Sequence, residues 1–156
     1  MLSTRKIMII GLTCLVAGPA VAESLSEDVR TVGYTYGLYR ACTSYYAERG
    51  GLDALWFRVP LEDRNLAALR QADPAPAGRD DLIATYESAK KLGSDVGTNR
   101  IRILNLSAEI RDTDDQVKAW CETAKARVEP CLEDDALSAM AHFSRCADAM
   151  PDPEKG

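Results

Sequence analysis

The chain has 156 residues, with 19 basic and 24 acidic side chains, a net charge of −5, and a composition 46 % hydrophobic, 28 % charged and 6 % aromatic. That balance fits one soluble globular domain and excludes a disordered tail or a multi-domain enzyme. A pI near 4.9, with no stripe of Lys and Arg, argues against nucleic acid as a partner, because phosphate binding needs clustered positive charge.

Arg5 and Lys6, the apolar run Ile7 to Ala17 and the Ala20-Val21-Ala22 site before Glu23 have the three-part form of a secretory signal peptide. The predicted organisation is therefore a leader over 1–22, a single helical domain over 23–150 and a polar tail over 151–156. The apolar run falls short of the ~20 residues a spanning helix needs, and no later segment is long and apolar enough for stable membrane insertion. Cys14 lacks the small neighbour expected beside a lipidated cysteine. Losing the leader would take the net charge from −5 to −7. Periplasmic or secreted localisation follows; Asn105-Leu-Ser107 would also be a glycosylation acceptor in a eukaryote.

Ser24 and Glu27 form a capping box, after which Val29, Val32, Tyr36, Tyr39, Thr43 and Tyr46 recur at helical spacing. The helix should end near Arg49, at Gly50-Gly51. Its other side carries Gly33, Gly37, Ala41 and Ser44, a small-residue row that lets a second helix backbone approach. Leu55, Trp56 and Phe57 form a short apolar cluster closed by Pro60. Pro60 suits the first position of a helix with Glu62 and Asp63 in its first turn and Leu61, Leu66 and Leu69 inward. Asp73 to Gly78 is a linker too short to separate domains.

Asp80 or Asp81 caps a helix with Leu82, Ile83, Tyr86, Ala89 and Leu92 inward, and Gly93 to Gly97 reads as a break. Thr98 or Asn99 restarts the pattern with Ile101, Leu104 and Ile110. Thr113 with Gln116 forms a second capping box before Val117, Trp120, Cys121, Ala124 and Val128. Pro130 ends that helix, and a last one is predicted over 132–150 with Leu137, Met140, Ala141 and Phe143. No strand signal or internal repeat occurs. The expected fold is all-α, an irregular bundle of four to five helices stapled by two disulfides.

Cys42, Cys121, Cys131 and Cys146 read as two disulfides in an oxidising compartment, with no C-x-x-C motif to suggest redox or metal chemistry. In one continuous helix, Cys131 and Cys146 would lie about 22 Å apart, which disfavours their pairing unless the helix breaks. An antiparallel hairpin turning at Pro130 would pair Cys121 with Cys146 and Cys42 with Cys131. Cys42 with Cys146 and Cys121 with Cys131 stays open.

Five of the six tyrosines lie between Tyr34 and Tyr46. As a binding face they would offer large contact area at low entropy cost, with Tyr34, Tyr36, Gly37, Arg40 and Tyr45 as contact residues. The plainer reading buries Tyr36, Tyr39 and Tyr46 in the core and lays Tyr34 and Tyr45 over its edge. Trp56 and Trp120 read as core anchors. Two acidic clusters, Asp112-Asp114-Asp115 and Glu133-Asp134-Asp135, fit helix starts better than a calcium loop, which would need glycine at Val117 and a carboxylate at Thr123. His142, the lone histidine, has no nucleophile motif to serve and reads as a surface or packing residue.

No metal, cofactor or catalytic residue is therefore expected. The reading is a non-catalytic module that binds another envelope or secreted protein, so that Gly37→Leu would abolish binding without changing the thermal midpoint. The alternatives are a carrier of a small apolar ligand between helices and, with least support, a carboxylate-dependent hydrolase.

Overall fold

The computed structural model describes residues 19–59, 63–73, 75–111, 115–132 and 138–150. The n- and h-regions of the predicted leader with Cys14, the residues Pro60, Leu61, Glu62, Asp112, Thr113, Asp114 and Leu137, the Glu133–Asp135 cluster and the predicted tail lie outside the described residues. The described chain is all-helical: α1 (Pro19–Arg49), α2 (Gly51–Trp56), α3 (Arg64–Gln71), α4 (Arg79–Arg111), α5 (Asp115–Val128), a 3-10 turn (Glu129–Cys131) and α6 (Ala139–Ala149). None of the described helices is long and apolar enough to cross a membrane.

The frame is a pair of long helices, α1 with 31 residues and α4 with 33, each about 45–50 Å long. They run parallel: Gly33 lies against Tyr86 and Ala89, Gly37 against Lys90 and Ser94, and Gly97 against Leu38 and Ala41. A parallel pair needs a return path, and α2 and α3 provide it. α1 starts earlier than the Ser24 capping box, with Pro19 at its first position, where a missing N–H costs nothing. It stops at Arg49 because Gly50 and Gly51 take φ of 70° and 80°, open to glycine at no steric cost.

α4 does not break at Gly93–Gly97, and Thr98 and Asn99 lie within it. Both glycines are buried where α1 crosses: a Cβ at Gly93 would fall on the Tyr34 carbonyl oxygen, and one at Gly97 would lie 2.7 Å from Ala41 Cβ. Two G-x-x-x-G rows, 33–37 and 93–97, thus face each other within one chain. The cost of two helix-interior glycines, ~1 kcal/mol each, is offset by the close packing they permit.

α3 begins at Arg64 with Asp63 as its cap, accepting from the Leu66 N–H at 3.2 Å, so Asp63 stands before the first turn. Leu66 and Leu69 point inward. Among the predicted α2 cluster only Phe57 is buried; it stacks on Tyr46 with centroids 4.5 Å apart. Trp56 is exposed, under the Lys125 ammonium 3.5 Å above its ring, whereas Trp120 packs partly buried against the core.

The disulfide joins Cys42 to Cys121 with Cα atoms 5.7 Å apart, which corrects both predicted pairs, Cys42–Cys131 and Cys121–Cys146. α5 lies along α1 and brings Cys121 beside Cys42. Closing a 79-residue separation restricts the unfolded chain by about 4–5 kcal/mol in the loop-entropy view. The predicted helix over 132–150 is also shorter: Pro130 turns the chain through the 3-10 segment, and α6 starts at Ala139, capped by Ser138 Oγ. That interruption lets Cys131 and Cys146 meet.

Candidate functional site

The predicted contact residues do not share a surface. Tyr36 and Gly37 are buried; a Cβ on Gly37 would fall on the Lys90 carbonyl oxygen and 2.8 Å from Ser94 N. The small-residue row is covered by α4 from Gly33 to Ala41 and is not open to a partner there. Tyr34 lies at the edge of a groove between α1, α4 and α6, whereas Tyr45, about three turns further on, donates to Asn105 Oδ1 at 2.8 Å beneath the Arg49 guanidinium. Arg40 is exposed. Tyr39 and Tyr46 join Tyr36 in the core; burial pushes the hydroxyls of Tyr36 and Tyr39 up to about 12.

The structure assembles instead a buried polar line that crosses α3, α4 and α6. His142 Nε2 lies 2.8 Å from Asn65 Oδ1, Asn65 Nδ2 donates to Tyr86 Oη at 3.3 Å, and Tyr86 donates to Asp63 Oδ1 at 2.9 Å. Lys90 Nζ closes the line on Asp63 Oδ2 at 2.9 Å. Every hydrogen points toward the carboxylate. Because Tyr86 gives its only hydrogen to Asp63, Asn65 must turn its amide N–H₂ to Tyr86 and its oxygen to His142, which fixes the hydrogen on Nε2. Asn65 is fully buried and His142 is 5 % exposed, so each of these bonds satisfies a group that would otherwise be costly to bury. Burial, then the Asp63 charge, push the Tyr86 hydroxyl far above its ordinary range.

At the end of this line, Cys146 Sγ lies 3.8 Å from the same Nε2, and Cys131 is hydrogen-bonded to Cys146. Both thiols are free and fully buried. The Cys131 bond, followed by His142, holds Cys146 below the usual thiol range, while that bond and burial raise Cys131. The one hydrogen on Nε2 is committed to Asn65 at 2.8 Å, so that nitrogen has no lone pair free to take a proton from the sulfur 3.8 Å away. That is the wrong polarity for a general base, and no substrate reaches the sulfur in this state. His142 is thus an inward hydrogen-bonding residue, which its isolation in the sequence did not reveal.

Outward, α4 carries Leu92, Val96, Ile103 and Leu106 on one face, each 40–58 % exposed and together spanning about 21 Å. Leu92 thereby departs from its predicted inward place. A second apolar cluster, Leu52, Leu55 and Trp56 on α2, is 56–85 % exposed and rests on α5 through the Lys118–Asp53 ion pair at 2.9 Å. The α1/α4/α6 groove has a volume of about 1030 Å³, with the polar residues Glu27, Asp28, Arg30 and Asp148 mixed among Leu92, Ala147 and Met150. Among the described residues, no three His, Cys, Asp or Glu side chains gather as a metal site.

No protein-family model, curated protein or solved structure matches the chain.

Proposed function

We propose that the chain is a small exported, non-catalytic helical module that binds another protein of the cell envelope or secreted fraction, of the inhibitor, immunity, chaperone or accessory-subunit kind. The observation that carries this reading is the outer face of α4, where four large aliphatic side chains stand exposed in helical register. Scattered exposed aliphatics are ordinary, but an aligned apolar stripe on a rigid helix is the form of a contact surface. This reading puts the contact on the exposed side of α4, which begins at the groove lined by Leu92 and Tyr34, in place of the tyrosine-glycine face of α1. A non-catalytic role is supported by the burial of the one thiol–imidazole pair and by the commitment of the Nε2 hydrogen to Asn65. The groove supports a carrier function less well, because its carboxylates and guanidinium suit an apolar ligand poorly.

The test is affinity capture of the tagged mature chain from its native envelope fraction, run in parallel with two variants. Leu92→Asp combined with Ile103→Asp should reduce a stoichiometric co-purifying protein at least tenfold. Arg40→Ala combined with Tyr45→Phe should retain it. The reverse pattern would return the contact to α1, and no captured protein across several growth conditions would overturn the binding-module reading.

A further inference from the structure

Cys131 closes the 3-10 turn after α5, and Cys146 stands two turns into α6. Both are free, both are fully buried, and they are in hydrogen-bonding contact. We infer that Cys131 and Cys146 form a redox pair that closes into a second intrachain disulfide, fastening α6 to the end of α5, with Cys146 as the sulfur that reacts first.

The geometry supports closure. Thiols in hydrogen-bonding contact need to approach by only about 2 Å to reach bonding distance, and Leu132 and Ser138 are not helical, so no continuous helix holds the two cysteines apart. The order follows from the surroundings. Cys131 donates its hydrogen to Cys146, the His142 Nε2–H lies 3.8 Å away, and the Arg145 guanidinium favours a thiolate on either sulfur. Cys146 is therefore the better nucleophile, and Cys131 the sulfur that resolves.

The oxidant is a disulfide, either a small-molecule one or that of a thiol–disulfide oxidoreductase. The Cys146 thiolate attacks one of its sulfurs, forming a mixed disulfide and expelling one thiolate. Cys131, on losing its proton to that thiolate, attacks Cys146 Sγ and expels the second. Two electrons and two protons pass from the cysteine pair to the oxidant, which leaves as two thiols. Since neither sulfur is exposed, the first exchange occurs when α6 lifts locally or before it docks. The inference uses the exported reading only for where the oxidant is met; the pairing rests on the contact itself.

The experiment treats the mature chain from Glu23, with Cys42–Cys121 intact, with oxidised glutathione, then denatures, alkylates and digests it with trypsin. The expected result is a fall from two alkylated cysteines to none, with the peptide 128–145 linked to the peptide 146–155. Two alkylated cysteines after prolonged exposure, or links from either peptide to those holding Cys42 or Cys121, would overturn the pairing. The order is read from single variants: Cys131→Ser should form a mixed disulfide with glutathione at least tenfold faster at pH 7 than Cys146→Ser, and the opposite order would overturn the assignment of Cys146. Where a variant fails to fold, the wild-type peptide map still decides the pairing. Alkylation in living cells separates the two readings: closure in the tube with free thiols in the cell would count against export and leave the pair standing.

Discussion

The two faces of α4 invert the usual arrangement of a surface helix. Its inner face, where α1 crosses, is built around Gly93 and Gly97, while its outer face carries Leu92, Val96, Ile103 and Leu106. Apolar bulk ordinarily marks the buried side. At Gly93 and Gly97 size decides: the contact there is backbone on backbone, so the smallest residues go in, while Leu82, Tyr86 and Ile101 supply the buried bulk elsewhere along the helix. Close approach brings main-chain atoms into van der Waals contact along both helices, and the outer aliphatics stay 40–58 % exposed.

The largest effect should come from adding bulk to the inner face. Gly37→Leu or Gly93→Leu puts a side chain onto a carbonyl oxygen of the facing helix, and separating two 30-residue helices should cost more than ~3 kcal/mol, beyond ordinary overpacking. Urea titration would show a lost or strongly lowered transition. Gly50→Ala, strained only by its positive φ with open space around it, should cost about 1 kcal/mol; equal effects at Gly50 and Gly93 would remove the distinction between packing and backbone conformation.

Next in size is the polar line. Asn65→Leu takes the acceptor from His142 and a donor from Tyr86, leaving buried groups unpaired, and should cost about 2–3 kcal/mol by the same titration. A cost below about 0.5 kcal/mol would mean that the line contributes little to the fold. Alkali offers a third test. Burial raises Tyr36 and Tyr39 from 10 to about 12, so the native state keeps these protons while the unfolded chain releases them. Stability should be unaffected by these groups below about pH 10 and fall between 10 and 12, by about 1.4 kcal/mol per pH unit for each tyrosine. Tyr36→Phe should make that fall shallower in urea midpoints measured across the range. The smallest effect belongs to the outer face, where Ile103→Asp should change stability by less than ~0.5 kcal/mol.

Much of the frame was legible in the sequence. The all-helical class, the end of α1 at Gly50-Gly51 and the burial of Tyr36, Tyr39 and Tyr46 follow from periodicity and from the conformational freedom of glycine. The small-residue row at Gly33 and Gly37 also signalled a close helix approach. Gly93–Gly97 reads as a helix breaker from propensity alone, whereas the matching four-residue spacing of the two rows is the signal that they face each other. Tertiary packing overrode propensity there. The polar line was not legible: Asp63, Asn65, Tyr86 and His142 are brought together by three helices, and no short spacing records that. The disulfide pairing was missed for a related reason, since periodicity over 132–150 concealed the turn after Pro130 that separates Cys131 from α6.

The most direct test of the inverted α4 is a urea unfolding curve for Gly37→Leu measured beside one for Ile103→Asp. A collapsed transition for the first and a wild-type midpoint for the second is the result predicted here. A wild-type midpoint for Gly37→Leu would contradict it, because the glycine row of α1 would then face outward and the interior contact between the two long helices would not exist.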